Sequence, residues 1–307
     1  MMTYTTYDIK KAILDSNANI GLIISTYLDE FIQQMMSYKI DWQSLNGDYD
    51  KLIERVEESI KEMQPIKDDF INLLKLIAKS DVLCTGELYV NFFESLLQKY
   101  EDNGITLYSG DTIDLMVDDN YRFINYQLFL SVISVLIENE RFDVVAKLVN
   151  SRLIVIRKRG LTLPEDSNFI RFREYNYTLS TCKNEKYNLG QVSVAANFMR
   201  ELSKVPSFDD LVKADILLYY LSLLYPGDTF LNRYWYPDLS CYNRIFEILP
   251  KMIKKNYFEK AKVMFDVDTV NDLRAKYAGL DNKFTYDGLH TVPRISVGLC
   301  FDKIATV

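Results

Sequence analysis

The stretch "YRFINYQLFLSVISVLIENE", Tyr121 to Glu140, constrains the fold more than any other. Its periodicity is helical, yet apolar residues run nearly all the way round it. A helix without a polar face has no side to turn to water, so it must be central, with other helices packed about it.

The remaining sequence supplies those partners. Residues 17–40 place Ile20, Ile23, Ile24, Tyr27, Leu28, Phe31 and Met35 on one helical face, and Leu52, Ile53, Val56 and Ile60 make a second stripe. Pro65 reads as the opening of a further helix, because a proline in the first turn loses no helical hydrogen bond. Thr85 is the expected N-cap of "ELYVNFFESLLQKY". Ser207 with Asp210 resembles a capping box ahead of "FDDLVKADILLYYLSLLYP", which Pro226 and Gly227 end. "CYNRIFEILPKMIKKN", "YFEKAKVMF" and "DTVNDLRAKYAG" read as three short helices, the last with Asp268 as N-cap and Gly279 as stop. Only 11 glycines and 7 prolines occur in 307 residues, too few for the turns of an all-β fold. The expected class is therefore all-α: an irregular multi-helix bundle.

Its division is expected at the Asp-rich segment 104–119, read as an acidic loop between an N-terminal helical lobe, 1–103, and a C-terminal one, 120–307. Within the latter, "LIENERFDVVAKLVNSR" reads as a helical hairpin. Asn139, Glu140 and Arg141 form a corner facing water, and Phe142, Val145, Leu148 and Val149 point inward. "MIKKNYFEKAKVMF" repeats that plan, and helix–turn–helix is the unit of α-solenoids, so partial solenoid-like packing is expected. "RLIVIRKRG" reads as extended, and "PRISVGLCF" as a strand.

The chemistry is limited by a single histidine, His290. It excludes paired-histidine zinc sites. Cys300 lies ten residues on, but a nucleophilic thiol needs a base within hydrogen-bond reach, which spacing does not establish. The acids Asp111, Asp114, Asp118 and Asp119 precede a helix, where carboxylates serve the helix dipole and the caps. Asp266, Asp268 and Asp272 begin like a calcium loop but lack its sixth-position glycine and twelfth-position glutamate. Phosphate-loop, dinucleotide and nucleophile-elbow motifs are missing from the sequence. No catalytic, cofactor or metal residue is assigned, and the weight of these absences is against an enzyme.

Two surfaces remain. Tyr234, Trp235 and Tyr236 in "RYWYPDLSCY" suit either a partner hot spot or an aromatic lid over the core, and the core is the favoured reading. Arg157, Lys158, Arg159, Arg171 and Arg173, with Tyr175 and Tyr177 following, suit contact with a nucleic-acid strand by charge and stacking. The formal charge of −7 opposes that second reading. Four separated cysteines with no CxxC pair, and no apolar run near ~20 residues, point to free thiols in the cytoplasm and no membrane span.

Four segments in order, "FFESLLQKY", "FLSVISVLIENERFDVVAKLV", "DLVKADILLYYLSLL" and "RYWYPDLSCY", resemble the all-helical accessory region of bacterial TIR-type antiviral defence proteins, over about residues 60–280. The βα alternation of a TIR domain is missing here, and no functional residue carries over. The resemblance implies a stand-alone helical partner or sensor, with any enzyme on another chain. The expected function is thus a non-enzymatic protein–protein binding or scaffold protein in a bacterial defence or stress system. The alternative is a nucleic-acid-binding or nucleic-acid-cleaving protein. The partner and the oligomeric state are not readable from the sequence.

Overall fold

The computed structural model describes residues 3–81, 83–105, 112–156, 164–173, 175–227, 233–280 and 292–307. The chain is all-α, and 67% of it is helical. In order come α1 (Thr6–Leu14), α2 (Ile20–Met36), α3 (Tyr49–Ile77), α4 (Gly86–Asp102), α5 (Thr112–Val117), α6 (Asp119–Glu138) and α7 (Phe142–Asn150). A small hairpin follows, β1 (Leu153–Ile156) with β2 (Pro164–Ser167), antiparallel with Leu153 opposite Ser167. Then come α8 (Asn184–Lys186), continuing a π-turn from Thr178, α9 (Val194–Leu202), α10 (Phe208–Leu224), α11 (Lys255–Ala261), α12 (Val270–Tyr277) and α13 (Ile295–Gly298).

The all-round apolar helix is central. α6 packs against α3 on one side and α10 on the other, and its residues from Asp119 to Leu136 are buried. A run of aromatic rings threads this core. Phe31 of α2 stacks on Phe70 of α3 at 4.5 Å, Phe70 on Phe92 of α4 at 4.8 Å, and Phe93 meets Phe129 of α6 at 5.1 Å. Phe129 continues to Phe172 at 4.6 Å and to Trp235 at 5.9 Å. The chain of rings thus crosses from residues 1–103 to residues 120–307. Hydrogen bonds between α-helices accompany it: Gln64 of α3 to Gln127 of α6, Asn120 of α6 to Ser59 of α3, and Tyr100 of α4 to Asn125 of α6.

Local signals held where the bond they describe is local. Thr85 accepts from Leu88 N, and Ser207 accepts from Asp210 N. Elsewhere the structure corrects the reading. Pro65 opens no helix: α3 runs through it, because Pro65 sits on the exposed face, where the Lys61 carbonyl it leaves unbonded can turn to water. Segment 104–119 is not a loop throughout. It contains α5, and Asp118 and Asp119 are buried at the start of α6. The cap of α12 is Thr269, not Asp268, in a reciprocal box with Asp272. "CYNRIFEILPKMIKKN" folds as irregular chain with one 3₁₀ turn, Pro250–Ile253, and "PRISVGLCF" forms the short α13 rather than a strand.

The 139–141 corner is also tied down rather than left to water. Glu140 takes the left-handed conformation (φ +56°), which lets Arg141 N reach back to Leu136 O at 2.8 Å. Arg141 then pairs with Asp81 and donates to Cys84 O, while Glu140 accepts from Lys260 of α11 at 2.6 Å. The inward residues Phe142, Val145, Leu148 and Val149 are all buried. The two similar hairpin sequences lie against each other, with Phe142 edge-on to Tyr257 at 5.1 Å.

Strand β1 is extended as expected, and α4 covers its free edge. Glu94 accepts from Ile154 N, and Gln98 both accepts from Ile156 N and donates to Ile156 O. Side chains here take the place of a neighbouring strand, which blunts the edge.

Candidate functional site

The aromatic segment is built around one carboxylate. Asp215 of α10 is wholly buried. Its Oδ1 accepts from Tyr126 Oη at 2.6 Å and Trp235 Nε1 at 2.7 Å, and its Oδ2 from Leu239 N at 3.0 Å. Trp235 N also donates to Ser222 Oγ at 3.0 Å. Trp235 has no exposed surface and lies against Phe169 and Tyr126, so it is a core side chain, the favoured reading. Tyr236 is 37% exposed, and Tyr234 is half-buried under the Arg233 guanidinium.

The five predicted cations do not share one described surface. Arg157, Lys158 and Arg159 lie outside the described residues. Arg171 is buried. Arg173 stacks on Tyr126 at 5.1 Å, donates to Tyr236 O and pairs with Asp238 at 2.8 Å, fastening the aromatic segment to α6.

Burial pushes the Asp215 carboxyl up to about 7, against the pull of Tyr126, Leu239 N, Trp235 and Arg173, which favour the charged form. In the unfolded chain an aspartate titrates near ~3.9. Between those values the folded state holds a proton that the unfolded state has lost, so this group's contribution to stability falls as pH rises from about 4 to about 7. Wild type should therefore lose stability relative to Asp215→Asn, which cannot ionise, across that window, and the difference should level off above it. Denaturant titrations of both proteins at several pH values measure this. A flat difference would show that Asp215 is not raised.

Among the described residues no thiol is held as a reactive thiolate. Burial, with Glu247 adding, pushes the Cys300 thiol up, away from a reactive thiolate, and His290 lies outside the described residues. Among the described residues no group of three or more His, Cys, Asp or Glu side chains is placed to hold a metal. Asp119 is engaged by Arg122 and Thr178 N, Asp266 by Lys276 and Asp272 by Thr269; Asp111 is outside the description, as is the Asp114 side chain.

What the fold does leave open is a cleft. Ser134, Ile137 and Glu138 of α6 face Asp210, Lys213, Ala214 and Leu217 of α10. Both sets follow helical spacing, so each is one face of its helix. The opposite wall is Ile248 to Lys251, with Tyr257 of α11 behind it. The lining is apolar below, and Glu138, Asp210, Lys213 and Lys251 carry charges of both signs at the rim. Its volume is about 240 Å³. Cofactor and drug-sized sites run to roughly 300–1,000 Å³. This cleft suits one or two apolar side chains, not a nucleotide. No protein-family model, curated protein or solved structure matches this chain.

Sequence reasoning missed the cleft. The local trace of it is two small residues, Ser134 and Ala214, among the large apolar side chains of α6 and α10. That those two positions oppose each other is set by how the helices cross, which neither segment encodes alone.

Proposed function

We propose that this chain is a non-enzymatic binding protein whose α6–α10 cleft takes an apolar anchor side chain from a partner protein. The anchor is flanked by charged residues that meet the rim. The observation that carries this reading is the cleft itself: a small apolar depression between two rigid helices, ringed by Glu138, Lys213 and Lys251. Buried apolar anchors dominate protein–protein affinity, and a charged rim sets register and selects partners. The four free cysteines support action in a reducing compartment, the bacterial cytoplasm. The helical architecture suits a partner or sensor in a defence or stress system.

Ser134→Leu is the test. Leucine at 134 projects into the cleft from a helix that favours it, so the melting temperature should stay level or rise. Peptides selected on the wild-type protein from a random display library should carry a Leu, Ile, Met or Phe anchor, and should bind Ser134→Leu at least tenfold more weakly. Selected peptides that bind both proteins equally would overturn the cleft as the binding site.

A further inference from the structure

The two sides of the cleft are unequal. One side is the packed pair α6–α10. The other, residues 248–255, is short: one 3₁₀ turn, Pro250–Ile253, with Ile248 and Leu249 before it and Lys254 leading into α11 at Lys255. Its main chain is held by segment 292–307. Ile248 N donates to Gly298 O at 2.8 Å and Lys255 N to Val307 O at 2.8 Å. In return Ala305 N donates to Met252 O and Val307 N to Ile253 O, both at 3.0 Å. The same segment is fixed to α10. Tyr220 Oη donates to Pro293 O at 2.7 Å, and Gly298 sits so close to the Tyr220 ring that a Cβ there would meet two ring carbons at 2.8 and 2.9 Å. Tyr220 is itself wholly buried, so the ring has nowhere to go. Ile295, Leu299 and Ile304 bury the apolar side of the segment.

We propose that segment 292–307 is a strap that joins α10 to the 248–255 wall and sets the width of the cleft, and with it the size of anchor side chain the cleft accepts. The inference rests on the cleft being the binding site. Gly298 is the point where the strap touches both sides: its carbonyl holds the wall, and its missing side chain allows the approach to Tyr220. Release at that point frees the wall while α3, α6 and α10 keep their own helical bonds and their mutual packing.

Two variants of the full chain test this. Gly298→Ala forces the strap off Tyr220, and Tyr220→Phe keeps the ring and removes the hydroxyl that donates to Pro293 O and, at 3.5 Å, to Arg294 O, so it reports even if the alanine variant misfolds. Hydrogen exchange, read without any ligand, should show the amides of Ile248 and Lys255 exchanging at least tenfold faster, with protection in α3 and α6 unchanged. The peptides selected on wild type should then shift in preference, with Trp or Phe anchors gaining over Leu. Unchanged exchange at Ile248 and Lys255, or an equal rise along α3 and α6, would overturn the strap. Faster exchange at the wall with the same anchor preference would also overturn it as the device that sets width. Failure of the cleft reading is seen separately, as peptide binding indifferent to Ser134→Leu.

Discussion

Trp235→Ala should lower the stability of this protein by ~3–5 kcal/mol, the range expected when a large aromatic is cut from a core. The ring is wholly buried, with Phe129, Phe169 and Tyr126 all centred within 6.0 Å. The loss should reach the upper part of that range, because the indole also supplies one of three donors to buried Asp215, and a buried polar group that loses a partner keeps the cost of its desolvation. Tyr236→Ala, at an exposed neighbour, should cost ~1 kcal/mol or less. Urea titrations of the two variants beside wild type give both numbers. Equal losses, or a Trp235→Ala loss under ~1 kcal/mol, would mean that the aromatic segment is surface rather than core.

Asp119→Ala should be comparably damaging, again ~3–5 kcal/mol, for a different reason. Asp119 and Arg122 form an ion pair at 2.8 Å with neither side chain more than 2% exposed. Burial pushes the Asp119 carboxyl up, against the Arg122 charge and the Thr178 N–H that pull it down. The second oxygen accepts from Thr178 N at 2.5 Å, and Asn176 donates to the Asp119 carbonyl, so Asp119 also clips the start of the π-turn at Thr178 to the start of α6. Removing the carboxylate leaves a buried guanidinium without this counter-charge. Replacing both residues, as in Asp119→Ala with Arg122→Met, should be milder than Asp119→Ala alone, because the ion pair is then removed as a unit. A double variant at least as unstable as the single one would show that the charge pair is not the source of the loss.

Both residues show where sequence reading stops. In the sequence Asp119 is one of four acids ahead of a helix, and Trp235 one of several aromatics near a proline. Each description is right about the chain and silent about the partner. Asp119 meets Thr178 59 residues away, and Asp215 meets Tyr126 89 residues away. The corner at Arg141 shows the same limit: its polarity suggested water, yet it reaches Asp81 and Cys84 O across 60 and 57 residues.

What the sequence determined by itself is what short-range physics settles. Apolar periodicity is repaid within a few turns, so the helices around Phe31, Phe92 and Leu217 were legible, and a helix apolar on every side could only be central. Caps close within three residues, so Thr85 and Ser207 were found, although Thr269 displaced the neighbouring Asp268 because its hydroxyl completes a reciprocal box. Tertiary structure decided the rest. Pro65 opens no separate helix, because packing on both sides of it outweighs one lost hydrogen bond facing water. Residues 242–249 are irregular despite their helical pattern, and at Ile248 the main chain bonds to Gly298 O rather than to a helical partner. The cleft exists only where Ser134 and Ala214, 80 positions apart in the numbering, are brought opposite each other by the crossing of α6 and α10. A gap between helices belongs to their geometry, and no single stretch of sequence contains it.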